Sequence, residues 1–197
     1  MACPTLRDSK AKEKNFMKLY VGTYHKYNCG SIFGEWVDLD DFSSKEEFLE
    51  KCHEIHKDEE DPELMFQDFE ADSDWEGEFY SESYISADYW TFKDSIPSYI
   101  DDDDLKAILE FNSDNDQYPL DGDFFREFED NHGFSKITAS TVDSAYQEYL
   151  DEIGLLSEIP ERYRNYINFE SLMEDDESNG EITHIKGNRY DKHYFFY

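Results

Sequence analysis

A surplus of 31 negative charges sits on a chain of 197 residues that also carries 3 Trp, 15 Tyr and 16 Phe. The two facts pull in opposite directions. Acidity at this density ordinarily marks a disordered segment, because such a chain buries too little apolar surface to offset the entropy of folding. Disordered acidic segments are also poor in aromatic residues. This chain can therefore build a core while covering itself in carboxylates, which implies a folded polyanion. Self-repulsion at that charge opposes one compact globule and favours an extended series of small modules. The same field disfavours direct contact with nucleic acid or an anionic membrane, and points to a partner that itself normally holds nucleic acid.

Cys3, Cys29 and Cys52 are odd in number, scattered and without a CxxC pair. They fit a reducing compartment rather than a disulfide framework. The opening MACPTLRDSKAKEKN is charged without an apolar run, so it reads as neither a signal nor a transit peptide. No stretch is long and apolar enough to span a membrane. The expected location is the cytoplasm.

Along the chain, residues 1–16 read as a flexible, mildly basic tail. MKLYVGTY from Met17 and SIFGEWVDL from Ser31 are strand-like, and KYNCG between them supplies turn chemistry for a hairpin. Ser44 with Glu47 carries a capping-box signature, and Phe48, Leu49, Cys52, Ile55 and His56 recur at helical spacing. MFQDFE from Met65 returns as a third strand. Residues 71–82 are acidic and aromatic with no clean period. Helices are expected over about 86–94, 102–111 and 123–131, in a middle region poor in core. FSKIT from Phe134 is a strand. Ser140 or Thr141 caps a helix whose stripe is Val142, Ala145, Tyr146, Tyr149 and Ile153, closed by Gly154. Pro160 opens a short helix, 169–176 is another, and EITHIKG and YDKHYFFY are strands around a Gly187–Asn188 turn. The fold class is α+β: an elongated chain of three small modules, namely sheet plus helix (17–82), acidic helical middle (83–133) and sheet plus helices (134–197).

Motifs for chemistry are weak. Asp72, Asp74 and Glu76 followed by Gly77 begin like a calcium-binding loop, but Ser83 stands where the bidentate Glu is needed. Cys52-His53-Glu54-Ile55-His56 spaces its histidines three apart rather than four, so it is not a zinc-hydrolase signature, and core packing suits Cys52 and His56 better. Phosphate loops and nucleophile elbows are absent from the sequence. The chain is expected to be a non-enzyme needing no cofactor and no metal.

The surplus charge itself suits imitation of nucleic acid. Duplex DNA presents one charge per ~1.7 Å, so 31 charges correspond to roughly 50 Å, or ~15 base pairs. The competing readings are an acidic binding module or chaperone for basic proteins, without duplex geometry, and an enzyme with a halophilic surface.

One stretch narrows these. Leu155, Leu156, Pro160, Tyr166 and Glu170 fill every fixed position of LLxxxPxxxxxYxxxE, the antirestriction motif of the ArdA proteins, which this chain resembles from about Met17 to Tyr197. The resemblance implies an inhibitor of type I restriction–modification enzymes, encoded on conjugative plasmids and transposons, that forms a two-fold dimer and imitates bent B-form DNA. By the same resemblance Leu155, Leu156, Pro160 and Tyr166 are packing and homodimer residues, while Glu170 either caps locally or joins the charged surface. The partner is the methyltransferase core of such an enzyme, and cleavage is blocked without any chemistry. The acids expected to meet its phosphate-binding cations are Asp58, Glu59, Glu60, Asp61, Asp72, Asp74, Glu76, Glu78, Asp101, Asp102, Asp103 and Asp104.

Overall fold

The computed structural model describes residues 17–71, 74–115, 118–187 and 191–197. The tail 1–16, Asp72 and the Asn188 position of the last turn therefore lie outside the described residues, as does the side chain of Asp74. The architecture is mixed α+β, with small antiparallel sheets and eight α-helices among the described residues. It packs as two compact units that divide between Trp90 and Thr91.

The first unit is built on β1 (Met17–Thr23), β2 (Glu35–Asp38) and β3 (Leu64–Ala71), in the order β2-β1-β3. Met17, Leu19 and Val21 alternate along β1 and are buried. Phe66 pairs with Val21 and packs against Phe48 at 5.9 Å, which puts α2 (Lys45–Ile55) on that face of the sheet. The β1–β2 hairpin forms, but not through a tight turn. Thr23 Oγ1 accepts the Lys26 N–H and starts a short helix, α1 (Tyr24–Asn28), after which Gly30 turns at a φ of 81°. Ser44 caps α2 as expected, whereas the Glu47 carboxylate reaches back to Ser43 rather than to Ser44.

Residues 71–82, which showed no period, place Trp75 and Phe79 in the core through a 3-10 turn. Both rings lie against Tyr89, at 6.3 and 5.9 Å. A two-residue turn then joins β4 (Tyr80–Ser81) and β5 (Tyr84–Ile85), and α3 (Asp88–Ser95) follows.

The second unit holds α4 (Asp102–Asp114), α5 (Phe124–Asn131), β6 (Phe134–Thr138), α6 (Val142–Glu152), α7 (Glu161–Arg164), α8 (Phe169–Ser178), β7 (Thr183–Lys186) and β8 (Lys192–Phe196). Its sheet order is β6-β8-β7. β8 is central and buries four consecutive residues, His193 to Phe196, because both of its faces are covered. On one face Phe195 joins Ala145, Tyr146, Tyr149, Phe169 and Met173 of α6 and α8. On the other, Phe196 stacks on Phe111 of α4 at 4.5 Å and meets Phe128 of α5 at 6.2 Å.

The middle of the chain is thus not poor in core. Leu105, Ile108, Phe111, Phe124, Phe125 and Phe128 are all buried, each contributing about 1.5–3 kcal/mol of apolar burial. Charge dominates the composition of these helices, yet their apolar residues fall on one side. Residues 83–133 accordingly divide between the units: Ile85, Tyr89 and Trp90 belong to the first core, α4 and α5 to the second.

Candidate functional site

The four aspartates at 101–104 sit at the first turn of α4, where carboxylates favour the positive end of the helix dipole. Geometry assigns them different tasks. Asp101 and Asp104 form a reciprocal capping box: each side chain accepts the other's backbone N–H, at 2.9 and 3.1 Å. Asp104 is 2% exposed; it accepts the Lys136 ammonium at 2.7 Å and the buried Tyr194 hydroxyl at 2.9 Å. Asp103 pairs with Lys192 at 2.7 Å, and Asp101 lies within 3.4 Å of both lysines. Partial burial pushes the Asp101 carboxyl up, but the Asp104 backbone N–H and the two ammonium groups outweigh it and hold it at about 2. Burial first, and then the bond to Asp104, raises Tyr194. Asp102 alone of the four is exposed without a cationic partner among the described residues. The expectation that Asp104 belongs to the contact surface is therefore corrected: it is an internal anchor.

A similar sorting occurs at 58–61. The Lys26 ammonium lies among the His56 Nδ1 at 3.1 Å, Asp58 at 2.8 Å and Glu59 at 3.3 Å. The donor atoms of His56, Asp58 and Glu59 all fall within 4.8 Å of one another, and the lysine already supplies the cation there. Glu59 also accepts the Thr23 hydroxyl at 2.8 Å. Asp58, Glu60 and Asp61 are exposed, and the bond from Lys26 holds Asp58 below the usual carboxylate range. Glu78 is exposed, but Glu76 is fully buried and is removed from the contact surface. Cys52 is buried and its thiol is pushed up to about 12 by that burial, the reverse of what a thiolate ligand needs, while His53 is exposed.

Of the 155–170 residues expected to pack or to meet a second copy, Leu156 alone is buried within the chain. Gly154, at a φ of 84°, ends α6 in the left-handed region that glycine adopts without strain. A 3-10 turn, Leu155–Glu158, buries Leu156 against the α6–α8 core. Leu155 points out, 52% exposed, and Pro160 at the N-cap of α7 is exposed too. Tyr166 is 86% exposed, the highest value among the large apolar side chains of the described residues. Asn168, not Glu170, caps α8; Glu170 stands exposed in its first turn. Ile153 and Tyr163 are exposed beside them in sequence. A segment that could pack inward instead presents four large apolar side chains to solvent.

A scan of known families matches residues 19–190 to the antirestriction protein family ArdA. The chain belongs to that family. The match covers both compact units and the motif, and antirestriction is the function the family carries. Searches of curated proteins and of solved structures returned no match. Among the described residues no helix is long and apolar enough to cross a membrane.

Two features of the surface escaped sequence reasoning. Lysines at 136 and 192 are far in sequence from the aspartates they hold. Half-buried Tyr20 and exposed Trp36 lie in strands whose alternation was legible, but only the register sets the rings 5.4 Å apart.

Proposed function

We propose that this ArdA protein acts as a homodimeric acidic decoy, occupying the DNA-binding groove of a type I restriction–modification enzyme and blocking cleavage. The observation that supports this most directly is the partition of its carboxylates. Asp104 and Glu76 are buried, and Asp104 is held by Lys136 and the Tyr194 hydroxyl inside the fold. Asp58, Glu60, Asp61, Glu78, Asp101 and Asp102 stand at the surface. A groove tuned to phosphates offers Lys and Arg at intervals, and surface carboxylates can meet them without base identity. The protein itself has no reason to bind DNA, since both carry the same sign of charge.

The exposed Leu155, Tyr163 and Tyr166, close together in sequence, are the proposed contact between two copies, because large apolar side chains left at a surface mark an interaction site. Dimerisation doubles the length of the acidic array.

Competition tests the proposal. Purified protein is titrated into a type I methyltransferase core bound to a fluorescent duplex. The expected result is displacement at near-stoichiometric amounts, weakening steeply as salt is raised. Undisturbed DNA binding at 50 mM salt refutes it. Equal capture of any strongly basic protein identifies a generic acidic chaperone instead.

A further inference from the structure

The outer face of the β2-β1-β3 sheet, opposite α2, carries an ordered grid of side chains. Register places Trp36, Tyr20 and Asp68 in one row across the three strands, and Asp38, Lys18 and Glu70 in the next. Directly opposed residues in such a sheet share a face, with side chains about 5 Å apart. The grid therefore sets two aromatic rings among three carboxylates and one ammonium.

The rings are fixed before any partner arrives. Tyr20 donates its hydroxyl to the Ile32 carbonyl at 3.1 Å. Gly34 approaches the same ring closely: a Cβ there would come within 2.8 Å of its Cε1 and 2.4 Å of the Val21 carbonyl oxygen. Trp36 stands edge-on to Tyr20, with ring centroids 5.4 Å apart at 67°, and is 43% exposed, whereas Trp75 and Trp90 are 5% and 7% exposed.

We infer that this face is a docking surface for arginine side chains of a basic protein partner, with Trp36 as its anchor. The inference rests on the inhibitor reading above for the partner's identity. Charge decides the class of occupant. An exposed indole can stack on a nucleobase, but the phosphates that accompany a base would meet Asp38, Asp68 and Glu70. A guanidinium satisfies both halves of the grid: its plane stacks on the indole while its N–H fork turns to neighbouring carboxylates. Lysine offers a more strongly hydrated point charge with no plane to stack. Elsewhere in this unit cations already sit over rings, Lys26 above Phe33 at 4.6 Å and Lys45 above Tyr84 at 4.4 Å. Rigid exposed aromatics within a charged rim are the usual anchors of protein interfaces. The acidic surface then supplies encounter rate and salt dependence, and Trp36 supplies the lifetime of the complex.

Two measurements on the full chain test this. The first compares binding of the methyltransferase core by the wild-type protein, Trp36→Ala, and Asp68→Asn combined with Glu70→Gln. Trp36→Ala should bind roughly tenfold more weakly with an unchanged salt slope, whereas the carboxylate pair should flatten the slope. Trp36→Leu repeats the test should the alanine variant unfold. Equal binding by the wild-type protein and the Trp36 variants overturns the inference while leaving the inhibitor reading intact. If the wild-type protein itself fails to bind the core, the inhibitor reading fails, and the second measurement decides alone. The chain is labelled with 5-fluorotryptophan, and the 19F resonance of Trp36 is assigned from Trp36→Phe. Octa-arginine should shift that resonance at several-fold lower concentration than octa-lysine, leaving the two buried indoles unmoved. No shift, or equal response to both peptides, overturns the proposal.

Discussion

Replacing Asp104 by alanine tests whether the acidic run at 101–104 is one surface or four separate devices. The substitution removes the acceptor of the Asp101 N–H, the partner of the Lys136 ammonium and the acceptor of the Tyr194 hydroxyl. The cap is worth about 1 kcal/mol. A hydrogen bond to a charged group is worth about 1.5–3 kcal/mol, and here its loss strands a fully buried hydroxyl. Lys136 is 36% exposed and regains water, so its pair adds at most about 1 kcal/mol. Urea unfolding should therefore show a loss of about 3–5 kcal/mol. Asp104→Asn, which keeps the shape but not the charge, should fall between. Asp102→Ala, two positions away in the same run but exposed, should cost about 0.5 kcal/mol or less. A loss below about 1 kcal/mol for Asp104→Ala, or one no larger than that of Asp102→Ala, refutes the assignment of Asp104 as an internal anchor.

Other outcomes follow from the same structure. His184 donates from Nε2 to His193 Nδ1 at 3.0 Å, and His193 in turn donates to the Ala139 carbonyl at 3.2 Å. Burial, with His193 and Lys186 beside it, lowers His184 to about 4. The folded protein thus takes up this proton at lower pH than the unfolded chain, so stability is complete above about pH 6.5 and declines as pH falls toward 4. Urea midpoints measured across that range should show the decline, and His184→Phe should flatten it. Leu156→Ala should cost about 2–5 kcal/mol in unfolding experiments, while Tyr166→Ala should change monomer stability by no more than about 0.5 kcal/mol yet weaken self-association in sedimentation. Gly34→Ala, which puts a methyl group 2.4 Å from the Val21 carbonyl, should disturb the β1–β2 pairing, seen as lost amide protection at Glu35–Asp38.

The sequence determined most of the local structure, because local signals are carried by neighbouring residues. FSKIT became β6 with its bounds intact, and the 142–153 stripe with Gly154 became α6 and its left-handed stop. The motif at 155–170 was legible as a pattern, and the family assignment followed from pattern alone. The charge was legible too, as a total. What sequence could not distribute was the direction each side chain takes once elements meet. Asp102 and Asp104 are the same residue type two positions apart. One faces water and the other faces Lys136 and Tyr194, brought there by a sheet formed more than thirty residues later. The middle helices looked coreless because their acids are as numerous as their apolar residues, yet β8 gives Phe111 and Phe128 something to bury against. Leu155 and Leu156 are adjacent and identical, and a 3-10 turn sends one inward and one out. Burial is a property of partners distant in the chain. Composition told that this polyanion folds and the motif told its family, while tertiary packing alone decided which carboxylates hold the fold together and which remain for a partner.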